Sequence, residues 1–394
     1  MKLRLTTAGE SHGPAIVAVL DGMVAGLPIS ESSFARMLLR RKRGFGRSAR
    51  QKIEPDVVEI VGGVRFGKTT GSPIGLVIKN QDFANWAAVM DAAKMPDGYE
   101  PVTKPRPGHA DLSGAIKFGH RDVRDVLERA SSRETVARVA AGAVCAEFLA
   151  RLNVSIRSAV LSIGRAAVPA AVRKRLTATL APGDTDWDEA DVSDVGCPHG
   201  ATADRMRAVI KAAAEAGDSL GGTFVVVAYG VPPGIGSYAE WDRRLTGHLA
   251  QAVMSIPAIK AVEFGGGFDL AKMSGSKAQD EIFHRPGKGW FRCTNRAGGI
   301  EGGISNGAPI VIRPAMKPIP TVPRPLRTAD IVTHAKTTAL RERADVCAVP
   351  AAAVVAEAMV AFALADSLLE KFGADSLDEI SARVDSWREY AARF

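Results

Sequence analysis

The sequence predicts one large domain in which β-strands and α-helices alternate, of the α/β or α+β class. Its 394 residues are enough to bury a large core. The composition, with 46% hydrophobic and 24% charged residues, is typical of a soluble globular protein. No low-complexity linker marks a boundary, so residues 1–394 are expected to form a single domain.

Short apolar segments between glycines and other turn residues predict the strands. The first two are expected at 2–6 and 15–20, on either side of a turn. Segments 57–60 and 75–78 predict two more. The segment 223–229 is so uniformly apolar that both of its faces are expected to be covered.

Apolar residues at helical spacing predict the helices. The clearest is 134–152, and Ser131 and Glu134 have the spacing of a capping box at its start. Further helices are expected at 204–216, closed by Gly217, at 351–372 and at 377–393. The acidic, turn-rich segment 182–200 is predicted to be a surface loop.

Three other features restrict the class of protein. The most apolar segment, 351–369, is interrupted by Glu357 and Asp366, which favours a buried helix over a membrane span. The four cysteines form no C-x-x-C pair, which argues against a zinc site and fits a reducing cytoplasm. The first residues lack the apolar core of a signal peptide, so a cytoplasmic location is expected.

A short internal sequence similarity is compatible with a duplicated unit. The tetrapeptide GSPI at 71–74 and the tetrapeptide GAPI at 307–310 each precede an apolar strand. A repeated sheet-plus-helix unit would explain this similarity, and so would chance.

The net charge of +8 is concentrated in one window. Residues 36–50 contain seven lysines and arginines and no acidic residue, which indicates an anionic partner. Only Phe45 could stack on a base, so a small phosphate or carboxylate is favoured over nucleic acid. Glycines 44 and 46 would let Arg41 and Arg47 converge on that anion.

Two histidines lie in unusual settings. His12 occupies the turn "AGESHGPA", and His109 follows the stiff segment "TKPRPG". Each could place an imidazole in a site, although a structural turn and an ordinary proline-rich loop are the simpler alternatives.

Two further stretches carry cations and one acid. In "ERASSRET", Arg129 and Arg133 would flank a helix N-terminus, which favours anions, or would simply be solvated. Lys317 lies in "MKPIPT". Arg343 and Asp345 lie two apart in "RERADVCAVP", where a structural ion pair is the simpler alternative.

The standard dinucleotide, nucleotide, hydrolase and zinc-peptidase motifs are absent from the sequence. The remaining pattern is a cationic pocket with one or two histidines. This pattern suits elimination or transfer of a phosphate, with an imidazolium protonating the leaving oxygen.

Together, these stretches resemble the chorismate synthase family, whose motifs occur here in the same order and at the same spacing. The motifs are "AGESHG", "RRKRGFGR", "RPGHAD", "ERASSRETVARVAAG", "VEFGGGF", "NRAGGIEGGISNG", "MKPIPT" and "RERADVCAVP". The resemblance implies an α+β fold, a single-domain β-α-β sandwich of antiparallel sheets with helices between them, and a homotetramer.

The resemblance also implies the reaction. Members of the family convert 5-enolpyruvylshikimate 3-phosphate into chorismate and phosphate by a 1,4-anti elimination that needs reduced FMN. His12 would protonate the departing phosphate. His109 would lie near flavin N1, and Asp345 would assist proton movement at flavin N5, with Ser131 nearby.

The binding residues follow by the same resemblance. The substrate would contact Ser11, Arg41, Arg47, Arg133 and Arg343. The flavin would contact Arg129, Ala130, Ser131, Pro257, Ala258, Gly302, Lys317, Pro318, Ile319, Pro320, Thr321 and Arg343. No metal, nucleic acid or membrane is expected as a partner.

Three points stay open at this stage. The sequence has no nicotinamide fingerprint, so an external flavin reductase is expected to supply reduced FMN, rather than NADPH reducing it on this chain. Ala344 and Val346 stand where many members have His and Pro, and Pro257 stands where many have Asn. The sequence "GGGF" at 265–268 replaces a more usual Gly-Asp-Gly-Phe.

Overall fold

The computed structural model describes residues 3–48, 53–178, 185–287, 289–342, 344–373 and 375–394. Within these ranges, two larger antiparallel sheets enclose a layer of helices, and this sandwich is the frame of the fold. Smaller two-stranded sheets and further helices lie outside it.

The strands are β1 Arg4–Ala8, β2 Ala15–Asp21, β3 Val58–Gly62, β4 Val64–Arg65, β5 Lys68–Thr69, β6 Ile74–Lys79, β7 Ser155–Ile163, β8 Ala166–Ala167, β9 Gly222–Tyr229, β10 Ile259–Phe264, β11 Ile282–Arg285, β12 Gly289–Arg292, β13 Ile300–Glu301, β14 Ile304–Ser305, β15 Ile310–Met316, β16 Arg327–Ala329 and β17 Lys336–Thr338.

The α-helices are α1 Glu31–Lys42, α2 Asp111–Phe118, α3 Arg124–Leu127, α4 Thr135–Arg151, α5 Ala170–Ala178, α6 Thr185–Val192, α7 Gly200–Glu215, α8 Leu245–Met254, α9 Gly275–Ala278, α10 Val349–Phe372 and α11 Leu377–Arg393. Short 3-10 helices cover Gln81–Asn85, Ser132–Glu134, Trp241–Arg243 and Gly267–Lys272.

The two larger sheets are antiparallel throughout. The first has the strand order β1-β2-β6-β3, and the second has the order β10-β15-β9-β7-β8. In the first sheet, alternate residues of β2 and β6 point inward, so that Ile16, Ala18 and Leu76 are fully buried. This arrangement confirms the expected sandwich of antiparallel sheets around helices.

The same sequence of elements occurs twice along the chain. In the first half, β1, β2, α1, β3, β6 and α4 follow one another, and in the second half β7, β9, α8, β10, β15 and α10 do so. The neighbour orders also match, since β1-β2-β6-β3 corresponds to β7-β9-β15-β10. GSPI leads into β6 and GAPI leads into β15, so the two similar tetrapeptides precede corresponding strands of the two halves.

The helices α4 and α10 form the centre of the sandwich. Helix α4 packs on β2 and β6, α10 packs on β7 and β9, and the two helices pack on each other. Gly142 makes this approach possible, because a Cβ there would lie 2.4 Å from the Cβ of Ala358. Among the described residues, one helix, α10, is long and apolar enough to cross a membrane, but 89% of its apolar window is buried inside the fold.

The predicted surface loop at 182–200 is partly wrong. Residues 182–184 lie outside the described residues, but Thr185–Val192 is the helix α6. Its Trp187 is buried against the outer face of the second sheet and donates to Tyr229 Oη at 3.1 Å. Asp188 and Glu189 lie on the exposed side of this helix, whereas Asp186 is buried and binds Arg175.

The predicted capping box before 134–152 is also wrong. Ser131 caps the short 3-10 helix by accepting from the Arg133 N–H at 3.3 Å, and α4 begins only at Thr135. The side chain of Glu134 instead accepts from Arg138 at 3.0 Å. The helix predicted at 377–393 has the predicted bounds, and strand β9 is buried on both faces as expected.

Candidate active site

A cavity of about 550 Å³ is lined by loops from both halves of the chain. The first half contributes the β1–β2 turn, the end of α1 and the segment before α4. The second half contributes the end of α8, the segment after β15 and the segment before α10. This volume lies in the usual range for small-molecule sites.

His12 enters the cavity from the β1–β2 turn and is only 8% exposed. Its Nδ1 lies 2.9 and 3.0 Å from the two carboxylate oxygens of Glu128, and its backbone N–H donates to Glu128 at 2.9 Å. Burial alone would raise the pKa of Glu128, but the bonds from His12 and the charge of Arg124 outweigh this and lower it.

The turn that carries His12 is fastened by buried polar contacts. Asn80 donates to the carbonyl of Gly13 at 2.7 Å and accepts from Arg133 Nε at 2.8 Å. Ser11 donates its backbone N–H to the Glu128 carbonyl and accepts from the Ser131 hydroxyl at 3.1 Å. The geometry of His12 is therefore coupled to that of Arg133 and Ser131.

Arg41 and Arg133 share one buried carboxylate. Asp56 accepts from Arg41 at 3.2 Å and from Arg133 through its other oxygen. Asp56 has a φ of 54°, in the left-handed region that Asp tolerates better than most residues. Arg41 also donates to Thr135 Oγ1 at 3.1 Å.

The cationic cluster has unused hydrogen-bonding capacity. The pKa of Arg41 is lowered to about 10, mainly by burial. The positive charges of Arg47 and Arg133 add to this decrease, and the negative charge of Asp56 only partly offsets it. Arg133 Nη2 is buried and makes no hydrogen bond within the described residues, although Glu54 lies 3.5 Å away. Such a buried nitrogen is suited to an anionic ligand oxygen.

His109 belongs to a second polar cluster at the cavity. Its Nδ1 lies 2.5 Å from Asp111, and Arg106 donates to Asp111 through Nε at 2.8 Å. Burial alone would raise the pKa of Asp111, but His109 and Arg106 lower it well below its usual range. Arg106 also donates to Thr321 at 3.1 Å and so links this cluster to the second half.

Asp345 pairs with Arg47, which lies far from it in sequence. Arg47 Nη1 lies 2.6 Å from Asp345 Oδ2, and the Ser48 N–H donates to Oδ1 at 2.7 Å. Arg343 lies outside the described residues. The turn before Arg47 needs Gly46, because its φ is +82° and a Cβ would lie 2.5 Å from Ile210.

The second half lines the cavity mainly with backbone and apolar groups. Pro257, Ala258, Ile319 and Pro320 all belong to this wall. Lys317 supplies a cation there, and its Nζ donates to the Gly108 carbonyl at 2.6 Å. Burial lowers the pKa of Lys317, and the charge of Lys260 adds to this effect.

Comparisons with known proteins identify the family of this chain. The family model for chorismate synthase matches residues 3–369. The chain is 50% identical over 393 residues to the chorismate synthase of Aquifex aeolicus, covering 100% of this chain and 99% of that protein. It is 52% identical over 387 residues to that of Rubrobacter xylanophilus, covering 98% and 97%.

This chain belongs to the chorismate synthase family. A crystal structure of a chorismate synthase that is 42% identical matches with a TM-score of 0.81, covering 100% of this chain and 99% of that chain. The predicted family, the α+β fold and the enzyme class, a lyase, are therefore confirmed.

Not every residue predicted from the chorismate synthase motifs lines the cavity. The cavity wall includes Ser11, His12, Arg41, His109, Ala130, Ser131, Arg133, Pro257, Ala258, Lys317, Ile319, Pro320, Thr321 and Asp345. Arg47 and Pro318 are adjacent to wall residues. Gly302 lies in the β13–β14 turn and is not part of the wall.

The side chain of Arg129 binds backbone carbonyls and is not part of the cavity wall. Its guanidinium donates to the carbonyls of Gly9 and Thr7 at 3.0 and 3.1 Å, which ties it to strand β1. Its assignment to the flavin stays a prediction, and in this structure its side chain supports the turn that carries His12.

Sequence reasoning did not assign several residues that organise the site. They are Asp56, Asn80, Trp86, Arg106, Asp111 and Glu128. Asp111 and Glu128 were within the quoted motifs, and the spacing of His109 and Asp111 could have indicated their pairing. In the part of the chain that the structure describes, no three His, Cys, Asp or Glu side chains group as a metal site requires.

Proposed function

We propose that this chain converts 5-enolpyruvylshikimate 3-phosphate into chorismate and phosphate in the cavity between its two halves, with reduced FMN as cofactor. The observation that carries the proposal is the placement of His12 beside the Arg41–Arg133 cluster, at the wall of one cavity. A proton donor and anion-binding groups are what departure of a phosphate needs.

The arginines bind and orient the substrate anions. Arg41 and Arg133 both line the cavity, and Asp56, which is not part of the wall, accepts hydrogen bonds from both side chains. Arginine suits phosphate and carboxylate oxygens because its planar fork offers parallel N–H donors. Five lysines and arginines and three acidic residues line the cavity, so its balance favours an anionic substrate.

His12 supplies the proton. Glu128 binds Nδ1, so Nε2 is the ring nitrogen that donates to the bridging oxygen as the carbon–oxygen bond to phosphate breaks. The hydrogen at C6 leaves from the opposite face of the ring. Because the net change is loss of a proton and a phosphate, the overall reaction is redox-neutral. Bound reduced flavin would supply the transient electron density that this elimination needs.

The residues at the second-half wall fit a flavin. Pro257, Ile319 and Pro320 offer apolar surface, and Lys317 and the pair His109–Asp111 offer polar groups. In this proposal Lys317 to Thr321, Pro257 to Ala258 and Ala130 to Ser131 hold the flavin, and His109 and Asp345 hold or move protons near it.

The assembly and the source of reduced FMN are part of the same proposal. The chain works as a cytoplasmic homotetramer and receives reduced FMN from a separate reductase. The outer face of the first sheet supports the tetramer, because Val19 and Val61 are exposed there. Light scattering of the purified chain and turnover with NADPH and oxidised FMN would test these two points.

Nucleic-acid binding is disfavoured by the fate of the basic window. Arg41 is buried, Arg40 forms ion pairs with Glu357 and Asp191, and Arg47 pairs with Asp345. Three of the seven cations of the window are therefore buried or ion-paired, whereas Arg36 and Arg43 are exposed and Arg50 lies outside the described residues, so the window is not a continuous exposed basic surface.

The experiment is anaerobic turnover with chemically reduced FMN and the substrate. The wild type should release chorismate and phosphate in equal amounts. His12→Ala should still bind flavin and substrate but turn over about 10²–10⁴-fold more slowly, the usual effect of removing one positioned acid. A folded His12→Ala variant with normal turnover would contradict the role of His12.

A further inference from the structure

The ring of His12 lies in a closed circuit of contacts. Glu128 binds its Nδ1, and Arg124 donates to the same carboxylate at 3.0 Å. Trp86 lies on the ring with a centroid separation of 4.2 Å and an interplanar angle of 31°. The Arg124 guanidinium lies over the Trp86 ring at 5.0 Å, which closes the circuit.

Two members of this circuit hold the ring without belonging to the cavity wall. His12 lines the cavity, whereas Glu128 and Trp86 do not. Glu128 is 2% exposed, so its contacts with His12 and Arg124 are shielded from water. These two side chains therefore act on the substrate only through His12.

We propose that Glu128 and Trp86 are positioning residues that hold His12 with Nε2 toward the cavity and stabilise its cationic form. The proposal rests on the proposed role of His12 as the acid. It goes beyond that role because it assigns functions to two residues that do not contact substrate or flavin.

The physical argument has two parts. An acceptor on Nδ1 fixes which nitrogen of an imidazole faces the ligand, and a buried carboxylate also stabilises the imidazolium charge. An aromatic ring stacked on the imidazole fixes its plane, and the negative face of that ring attracts the cation. With both contacts, His12 has little freedom to turn away from the leaving oxygen.

The test separates positioning from stability by using matched variants. Glu128→Gln keeps the size of the side chain but loses its charge and one of its two acceptor oxygens. Asp186→Asn is the control, because Asp186 is buried and binds Arg175 through both oxygens at 2.8 and 2.9 Å, away from the cavity wall.

The proposal expects a split between kinetic constants. Glu128→Gln should lower kcat about 10–100-fold, the usual effect of losing a supporting contact to a functional ligand, and leave KM and flavin affinity unchanged. Asp186→Asn should lower the melting temperature but not kcat. Trp86→Ala should lose activity, and Trp86→Phe should recover most of it because it keeps an aromatic face.

A spectroscopic measurement supports the kinetics. In protein labelled with ¹⁵N-histidine, the Nδ1–H of His12 should give a protected, strongly hydrogen-bonded proton signal that is lost in Glu128→Gln. Wild-type kcat in Glu128→Gln and Trp86→Ala would overturn the proposal, as would an equal loss of kcat in Asp186→Asn.

His12→Ala separates a failure of the acid role of His12 from a failure of the positioning proposal. Normal turnover in this variant would overturn both the acid role of His12 and the positioning proposal. An inactive His12→Ala together with a fully active Glu128→Gln would leave the acid role intact and overturn only the positioning proposal.

Discussion

The two halves of the molecule have the same order of elements but contribute different chemistry to the cavity. The first half contributes side chains that carry charge or protons, such as His12, Arg41 and Arg133. The second half contributes mainly apolar surface around Pro257 and Ile319. Its described residues also contribute four charged side chains, those of Lys260, Lys317, Glu342 and Asp345. A repeated frame thus gives one cavity a mainly polar wall from the first half and a mainly apolar wall from the second.

The difference arises in the loops rather than in the frame. Between β1 and β2 the chain makes the short turn 9–14, which carries His12. Between the corresponding strands β7 and β9 it makes the long connection 164–221, which includes α7 and carries α6 onto the outer face of the second sheet. One connection builds the site, and the other covers a sheet.

The largest effect should come from Asp56, which holds the polar wall together. Asp56→Ala leaves Arg41 and Arg133 buried without their shared carboxylate, so unfolding should become easier by about 3–5 kcal/mol. Denaturant unfolding measures this. A loss below 1 kcal/mol would mean that the two arginines do not depend on Asp56.

Arg133 tests whether the polar wall is the substrate wall. Arg133→Met should weaken substrate binding about ten- to a hundred-fold, because one charge-assisted contact to a phosphate or carboxylate contributes about 1.5–3 kcal/mol. FMN binding should change much less. Calorimetric titration of each ligand checks this, and an equal loss for both would remove the division of roles between the halves.

Lys317 is the converse test on the second half. Lys317→Met removes one of the two described cations of that wall, the other being Lys260, and FMN affinity should fall by about five- to tenfold, with a smaller effect on the substrate. Fluorescence quenching of FMN measures the first quantity. The exposed Lys336→Met, on the β16–β17 hairpin, is the matched control and should change neither affinity.

The smallest effect concerns acid stability, which should arise from the first-half loops. The pKa values of Asp111 and Glu128 are lowered by their cationic partners once burial is outweighed. Their contribution to stability is therefore complete above the unfolded pKa, about 4, and is lost as pH falls through the lower folded values.

Melting curves of wild type and Asp111→Asn between pH 7 and pH 3 would show this. The wild type should be the more stable at pH 7, and the gap should narrow below about pH 4. A constant difference in melting temperature over this range would mean that the contacts of the Asp111 carboxylate with His109 and Arg106 do not stabilise the fold.

The sequence predicted the elements better than their junctions. Helix α11 and strand β9 follow directly from apolar spacing, because each buries one continuous stripe or run. The segment 185–192 was predicted to be a loop because it is rich in acidic residues, although its tryptophan, Trp187, is buried in the structure. The start of α4 was misplaced because Glu134 pairs with Arg138 instead of closing a capping box.

The site was predictable only where motifs mark it. His12, His109 and Lys317 lie in recognisable stretches, so the family resemblance assigned them. Asp56 and Trp86 have no local signal, because their partners Arg133 and His12 lie far away in sequence. Such contacts depend on how the two halves pack, which periodicity does not encode.

The central claim is that the substrate phosphate binds at the polar wall and the flavin at the apolar wall of one cavity. A crystal structure of this chain with FMN and 5-enolpyruvylshikimate 3-phosphate tests it most directly. The account predicts the phosphate within hydrogen-bonding distance of His12 Nε2 and Arg133 Nη2, with the flavin ring against Ile319 and Pro320. A phosphate bound away from His12, or a flavin ring bound away from Ile319 and Pro320, would contradict it.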